Sequence, residues 1–166
     1  MPSPRRDYLR ELIRLDQEQA KLEADTIAAL TALLVTLRRG LADALLQGDL
    51  STARLSRVIT AVEKLIATFE TEAVKEIAQA TTAAFGNGAS YAVAPLTAAG
   101  LAVSSAYADK SLLDILETFT VDLIKSVADD LKGKIVTQIR LAALGKQTPY
   151  EVMKTLTDII GISPGQ

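Results

Sequence analysis

The sequence predicts an all-α protein, and three observations lead to this prediction. The hydrophobic fraction is 49% of 166 residues, whereas the aromatic fraction is only 4%, with no Trp. A core of Ala, Leu, Ile and Val favours closely packed helices, because β-rich proteins rely more on aromatic side chains. The nine Gly and five Pro cluster at a few places, and between them apolar residues recur at every third or fourth position. The expected order is a long antiparallel helical hairpin, a small-residue connector, a second long helix and a short C-terminal helix.

The first predicted element is a helix from residue 5 to about residue 47, preceded by a tail at residues 1–4. Ser3 and Pro4 supply a capping hydroxyl and a proline suited to the first helical position. Residues 16–19 are polar and interrupt the apolar stripe, so we expect the first half of this helix to project from the body. The apolar seam of the helix is predicted at Ile27, Leu30, Leu34, Leu37, Leu41 and Ala44.

A second helix is predicted to pair with the first, so that the hairpin spans residues 5–85. Gly48 breaks the chain, and Asp49 or Ser51 can cap the new helix. Because the connection is short, the two helices should be antiparallel. We expect the second helix to end at 86–88, where Gly-Asn-Gly suits positive φ. Its apolar stripe is predicted at Leu55, Val58, Ile59, Val62, Leu65, Ile66, Phe69, Ala73 and Ile77.

The stretch from Ile77 to Ala108 contains no charged residue, and we predict an uncharged connector at 86–108 with a short helix from about Pro95 to Tyr107. A membrane segment is disfavoured, because the Gly-Asn-Gly break and the proline leave no apolar run of 18 residues. The stretch is therefore interpreted as buried or covered by a partner. Its lack of charge also suits an oligomer contact.

A helical pair is predicted at residues 109–161, followed by a tail or linker at 162–166. Asp109 or Ser111 opens a long helix to about residue 144, in which Gly133 marks a bend or a close crossing. Gly145 ends that helix, and Thr148-Pro149 with Glu151 starts the last one, which should run to Ile160. The stripe of the long helix is expected to face the core at Leu112, Leu116, Phe119, Leu123, Val127, Leu131, Ile135, Ile139 and Ala142.

The residues predict no catalytic, cofactor-binding or metal site. The chain has no His and no Cys, which removes the commonest general base, the commonest metal ligand and thiol chemistry. The Gly-Asn-Gly segment at 86–88 follows no strand and precedes no Lys-Ser/Thr, so it is not a phosphate loop. Asp129 and Asp130 point about 100° apart on a helix and do not converge on one ion. Glu72 and Glu76 share a face but lack the accompanying His.

Charge and hydroxyl groups add no site. The net charge is −2, and a nucleic-acid binder usually shows a basic excess, so direct DNA binding is disfavoured. An N-terminal basic cluster is interleaved with acidic residues and is interpreted as a solvated helix face: Arg5, Arg6, Arg10 and Arg14. Lys110 and Lys125 are interpreted as surface lysines. Five hydroxyl groups lack a base to activate them: Ser90, Tyr91, Ser104, Ser105 and Tyr107.

Residues 77–160 carry a resemblance to a known family. The order is AAFGNGASYA, then PLTAAGL, then a long amphipathic helix with LLDILETFTVDLI that ends in LGKQTPYEV. This order resembles the helical part of tailed-phage head-morphogenesis proteins, the minor capsid proteins related to the phage Mu head protein. In that family a long helix reaches a Gly, a small cap and a Pro-x-Glu-Val/Ile helix start. The family often continues into a C-terminal α/β domain, so the chain is either a short version or the helical part of a longer product.

The resemblance implies a structural component of a phage particle, a minor capsid protein at or near the portal vertex. Its implied partners are portal or capsid proteins, its own copies, or both, in a virion assembled in the host cytoplasm. The protein is then not an enzyme and works through helix-mediated contacts. Two alternatives remain open: a bacterial helical adaptor module, and an ejected protein whose uncharged segment acts on membranes.

Overall fold

A computed structural model describes residues 3–47, 54–103 and 109–160. Throughout these ranges the regular structure is helical: α1 (Pro4–Gln47), α2 (Leu55–Ala98), α3 (Lys110–Ala143) and α4 (Pro149–Ile160). The predicted all-α fold is therefore confirmed, with three long helices and a short fourth one. The chain forms two compact units: unit 1 contains Met1–Ala29 and Glu76–Val121, and unit 2 contains Leu30–Lys75 and Asp122–Gln166.

Two helix starts agree with their capping residues. At the start of α1, the carbonyl of Ser3 accepts hydrogen bonds from the backbone N–H groups of Arg6 (2.8 Å) and Asp7 (3.1 Å). At the start of α3, Asp109 Oδ1 accepts a hydrogen bond from the backbone N–H of Ser111 at 2.9 Å. Of the two predicted capping residues, Asp109 and Ser111, Asp109 is therefore the one that caps α3, which begins one residue after it.

The start of α4 is the predicted capping box. The backbone N–H of Thr148 donates to Glu151 Oε2 at 2.7 Å, and the backbone N–H of Glu151 donates to Thr148 Oγ1 at 3.2 Å. The bond from the Thr148 backbone holds the pKa of Glu151 below its ordinary value. Two backbone donors that would otherwise lack a helical partner are thus satisfied by a reciprocal pair.

Two glycines with positive φ end α2 and α3. Gly100 has φ 81° and Gly145 has φ 71°. After α2, the N–H of Leu101 bonds to the carbonyl of Leu96 at 3.0 Å, and the N–H of Gly100 bonds to that of Thr97 at 2.9 Å. The same pair of bonds recurs after α3. Both ends are Schellman motifs, in which glycine adopts the left-handed conformation without a steric penalty. The predicted end at Gly145 is confirmed.

The predicted break in the second helix is wrong. α2 continues through 86–88 and Pro95 to Ala98, so the connector expected at 86–108 and the short helix expected around Pro95 are corrected. Gly86 and Gly88 do not have positive φ. The buried Pro95 lies one turn before the helix end, where its missing N–H removes only one late helical hydrogen bond. Tertiary contacts outweigh the weak local propensity of this segment.

The longer α2 also changes the prediction for α1. The first half of α1 does not project alone, because the added residues of α2 pack beside it in unit 1: the Asn87 amide donates to Gln19 Oε1 at 3.2 Å. Several predictions fall outside the described residues: the break and caps at Gly48, Asp49 and Ser51, the hydroxyls of Ser104, Ser105 and Tyr107, and the end at Gly161.

Unit 2 contains the hydrophobic core, to which all four helices contribute. The predicted stripes of α1 and α2 are confirmed over most of their length, although Ile27 is 58% exposed and takes no part. α4 buries one face against the other three helices. The buried cluster consists of Leu37, Leu41, Leu45, Val58, Val62, Ile66, Phe69, Ala73, Ala128, Leu131, Ile135, Ile139, Val152, Leu156 and Ile160.

Glycine marks a close approach in unit 2, though not where it was predicted. A Cβ placed on Gly133 has open space around it, so the expected close crossing there is wrong. A Cβ placed on Gly40 would lie 3.0 Å from Leu65 Cδ2. α1 and α2 therefore pack closely at Gly40, which the sequence pattern did not single out.

We expect Leu37→Asp to unfold unit 2. Leu37 is 3% exposed within the core, and a carboxylate buried there without a partner costs several kcal/mol, comparable with a domain's whole stability of about 5–15 kcal/mol. Thermal melting followed by circular dichroism measures the loss. Leu46→Asp is the control because Leu46 is 67% exposed on the same helix. Equal melting temperatures for the two variants would show that this seam is not buried.

Two glycine substitutions test the continuity of α2. Gly86→Ala should raise the free energy of unfolding by about 0.5–1 kcal/mol, because Ala is the better helix former and nothing lies within 4 Å of the new Cβ. Gly100→Ala should lower it by about 1–2 kcal/mol, because an L side chain is strained at positive φ. Urea denaturation measures both. Destabilisation by Gly86→Ala would support a helix break at 86–88.

Candidate protein-interaction site

Unit 1 differs from unit 2 in how little apolar surface it buries. Every member of the core cluster belongs to unit 2, and among the described residues of unit 1 only Leu15 and Pro95 are classed as buried. Of the thirteen large hydrophobic side chains that are exposed in the described ranges, eight lie in unit 1. These eight are Leu9, Ile13, Ile27, Leu101, Leu112, Ile115, Leu116 and Phe119. Such a concentration typically marks an interaction surface.

The prediction that the whole stripe of α3 faces the core is wrong. Leu112, Leu116, Phe119, Leu123 and Val127 are between 40% and 68% exposed, and burial begins only further along the helix. The apolar spacing is the same in both halves of α3. Leu112, Leu116 and Phe119 belong to unit 1, which contains no fourth described helix. Leu123 and Val127 belong to unit 2 but precede most of the α3 residues that enter its core.

In unit 1, α2 lies between α1 and α3. The hydroxyl of Tyr91 donates a hydrogen bond to Asp16 Oδ1 on α1. The hydroxyl of Thr82 donates to Glu117 Oε1 on α3 at 2.8 Å. Tyr91 and Thr82 are nine residues apart, which places them on opposite sides of α2, since successive helical residues rotate by about 100°. α1 and α3 therefore flank α2 and do not close around it.

The exposed apolar residues of α1 and α3 lie on the same side of α2. On α1, Ile13 is rotated by about 120° from Gln19, which contacts α2. On α3, Leu116 is rotated by about 100° from Glu117, in the opposite sense. Both helices are antiparallel to α2 because the connections are short, so α1 and α3 run parallel to each other. Rotation in opposite senses on opposite sides of α2 therefore directs both sets of side chains to the same side of unit 1. Phe119 and Ile115 each lie about 160° from Glu117, Phe119 in the same sense as Leu116 and Ile115 in the opposite sense. We call Leu9, Ile13, Ile27, Leu112, Leu116 and Phe119 the apolar face, with Phe119 at its outer edge.

Uncharged residues of α2 separate the two halves of the apolar face. The same helical geometry places Thr81, Gly88 and Ala92 on this side, and Gly88 and Ala92 are exposed. α2 carries no charged residue from Ile77 to Ala98. Phe85, four residues after Thr81, lies on this side by the same geometry. The stripe of α2 between α1 and α3 is therefore uncharged, and Gly88 and Ala92 are small and exposed beside Phe85.

The opposite side of unit 1 is charged. Arg14 donates from Nε to Glu11 Oε2 at 3.0 Å and from Nη1 to Glu18 Oε1. The Arg14 guanidinium lowers the pKa of Glu11, and the two carboxylates raise the pKa of Arg14. Glu11 also lines a shallow groove with Ser90 and Thr97 of α2. The exposed large apolar side chains lie on the other side of unit 1, where Arg5, Arg6 and Arg10 line a groove with Leu9 and Ile13. This is the pattern of an apolar patch with a polar rim.

The other candidate residues form no joint site in the described ranges. Asp130 pairs with Lys134 at 2.7 Å, and the described residues contain no group of three or more metal-ligating side chains. Arg10 lies 3.7 Å from Asp7, and the Ser90 hydroxyl donates to the carbonyl of Gly86 at 3.0 Å. These contacts are local to one helix, and each is of the kind that a solvated helix surface makes.

A groove is also present in unit 2. It has a volume of about 330 Å³ and lies between α1 and α4. Its lining is aliphatic apart from two guanidinium groups and one hydroxyl: Val35, Arg38, Arg39, Ala42, Met153, Leu156 and Thr157. No carboxylate or amide converges on it, so it lacks the several placed polar groups that orient a small ligand.

The comparisons with known proteins returned no relative. No family model, characterised protein or solved structure matches the chain. Among the described helices, none is both long and apolar enough to span a bilayer.

The contact between Tyr91 and Asp16 predicts a pH dependence. The hydrogen bond to the Asp16 carboxylate raises the pKa of Tyr91 to about 12, above the ordinary tyrosine value of about 10. Its contribution to stability is fully present below about pH 10 and is lost as pH rises toward the folded-state pKa. Over that pH range we expect the melting temperature of Tyr91→Phe to fall less than the melting temperature of wild type. Tyr150→Phe, altered at a ring that is 78% exposed, should behave as wild type. An identical alkaline loss in wild type and Tyr91→Phe would contradict the assignment.

Proposed function

We propose that this chain is a structural assembly protein that acts through helix-mediated contacts with other proteins. The observation that carries the proposal is the apolar face of unit 1, where Phe119 is 68% exposed and Ile27 58% exposed. Water-exposed apolar surface of this extent is unfavourable by about 25 cal/mol per Å². A protein that keeps it exposed on one side therefore gains stability when another surface covers it.

The finer part of the proposal is that the chain is a minor capsid or head-morphogenesis protein of a phage particle, at or near the portal vertex. It is supported by the resemblance of residues 77–160 to that family, and its partners are then portal or capsid proteins and copies of the chain itself. The proposal includes no catalytic role, in keeping with a composition that lacks His and Cys.

Particle association tests the proposal. Tagged wild-type chain, produced during growth of the phage that carries its gene, should band with the particles in a density gradient. Leu112→Asp should be depleted from the particles by about tenfold or more, since a charge at the centre of an interface typically removes over 1.4 kcal/mol. Leu144→Asp is the matched control, because Leu144 is 69% exposed but lies outside the apolar face.

The gradient also separates the alternatives. Wild-type chain found only in particle-free fractions would contradict the phage assignment. A second outcome is recovery of the wild-type chain in those fractions together with a bacterial protein. If that protein is lost with Leu112→Asp and retained with Leu144→Asp, the result favours the adaptor module. Recovery in the lipid fraction would favour the membrane-active protein.

A further inference from the structure

We propose that the occupant of the apolar face is the same face of a second copy of this chain. The inference rests on the proposed assembly role and names one partner for it. It assigns to unit 1 a face-to-face homodimer in which the stripes of α1 and α3 cover the corresponding stripes of the other copy.

The exposed area fits a dimer. The six large side chains of the apolar face are between 40% and 68% exposed. Taking the aromatic value of roughly 200 Å² as an upper figure for each side chain, they present at most about 650 Å². The small residues of α2 between them add to this area. A stable interface buries about 800 Å² on each partner, or about 1,600 Å² in total. Two copies of the six side chains present about 1,300 Å², which approaches that total.

The width of the face excludes a single helix as its occupant. α1 and α3 lie on opposite sides of α2, so their axes are about 16–20 Å apart when each packs at 8–10 Å from α2. A helix with its side chains is about 10 Å wide and covers only one stripe or the space between them. A surface of several helices with apolar residues at the same separation is needed, and unit 1 itself has this width and composition.

The distribution of charge restricts how two copies can meet. The charges of Arg14, Glu11 and Glu18 lie on the other side of unit 1, and α2 carries no charge from Ile77 to Ala98. Arg5, Arg6 and Arg10 line a groove with Leu9 and Ile13, so the two copies must meet with these basic clusters apart, because like charges repel. An isologous contact is self-complementary by symmetry, and C2 dimers are the commonest oligomers.

Solution mass tests the inference on the full chain. Size-exclusion chromatography with light scattering should give wild type a mass twice the 17.7 kDa of one chain. Phe119→Asp and Ile13→Asp should each weaken the dimer by more than about tenfold and run as monomers with unchanged helical circular dichroism, because both side chains are exposed in one copy. Leu144→Asp should remain dimeric.

A labelling experiment gives a second readout, because the chain contains no Cys. In a single-cysteine variant, Leu112→Cys, maleimide labelling should slow as protein concentration rises through the dimer transition. Leu144→Cys should label at a constant rate. This comparison holds even if an aspartate variant fails to fold.

A monomeric wild type at all concentrations would overturn the inference, as would a dimer that survives both aspartate substitutions with uniform labelling of Leu112→Cys. A monomer that co-floats with liposomes through the same residues would assign the face to lipid and also overturn it. The two proposals can fail independently. A monomer that bands with particles would support the assembly role and contradict the homodimer, whereas a dimer that is absent from particles would support only the homodimer.

Discussion

The short length of α4 is the constraint on which the rest of the molecule depends. Three helices have between 34 and 44 residues, whereas α4 has 12. In unit 2, α4 buries Val152, Leu156 and Ile160 and completes a four-helix core. The described part of unit 1 has three helical segments, with α2 in the middle, so its apolar residues have no described helix to pack on along one side. The exposure of Leu112 and Leu116 follows from this, whereas Leu123 and Val127 are exposed although they lie in unit 2.

The sequence predicted the helical class and most boundaries where a local signal was strong, but it also predicted a fifth, short helix around Pro95, which is part of α2. The capping box of Thr148 and Glu151, the cap at Asp109 and the end at Gly145 are all local hydrogen-bonding patterns that a few neighbouring residues determine. The 3–4 spacing also predicted the core of unit 2. The failures concern 86–98, where Gly and Pro weaken the helix locally but contacts with α1 stabilise it. Gly100 ends the helix, although Gly86 and Gly88 come earlier and no local pattern distinguishes them from Gly100 as helix terminators.

The interaction site was only half predictable for a different physical reason. The spacing from Leu112 to Ala142 shows that α3 has one apolar side, but periodicity carries no information on what covers that side. The sequence did indicate that the uncharged residues 77–108 matter for contacts. In the described part of this stretch Gly88 and Ala92 are small and exposed, while the large exposed side chains of the apolar face come from α1 and α3, as Ile13 and Phe119 do. Their placement on one side depends on helix rotation about α2, which no single helix reveals.

The chemistry of the two sides of unit 1 explains how such a surface can remain specific. The charged network around Arg14 keeps one side hydrated, so the other side is the one that we propose for association. The stripe of α2 between α1 and α3 has no ionisable group to desolvate, and Gly88 and Ala92 add little bulk to it beside Phe85. Large apolar side chains then supply most of the favourable area, with few polar groups left unpaired on contact. A surface of this kind favours stable, shape-matched assembly over transient binding, which is the property that a structural component of a particle requires.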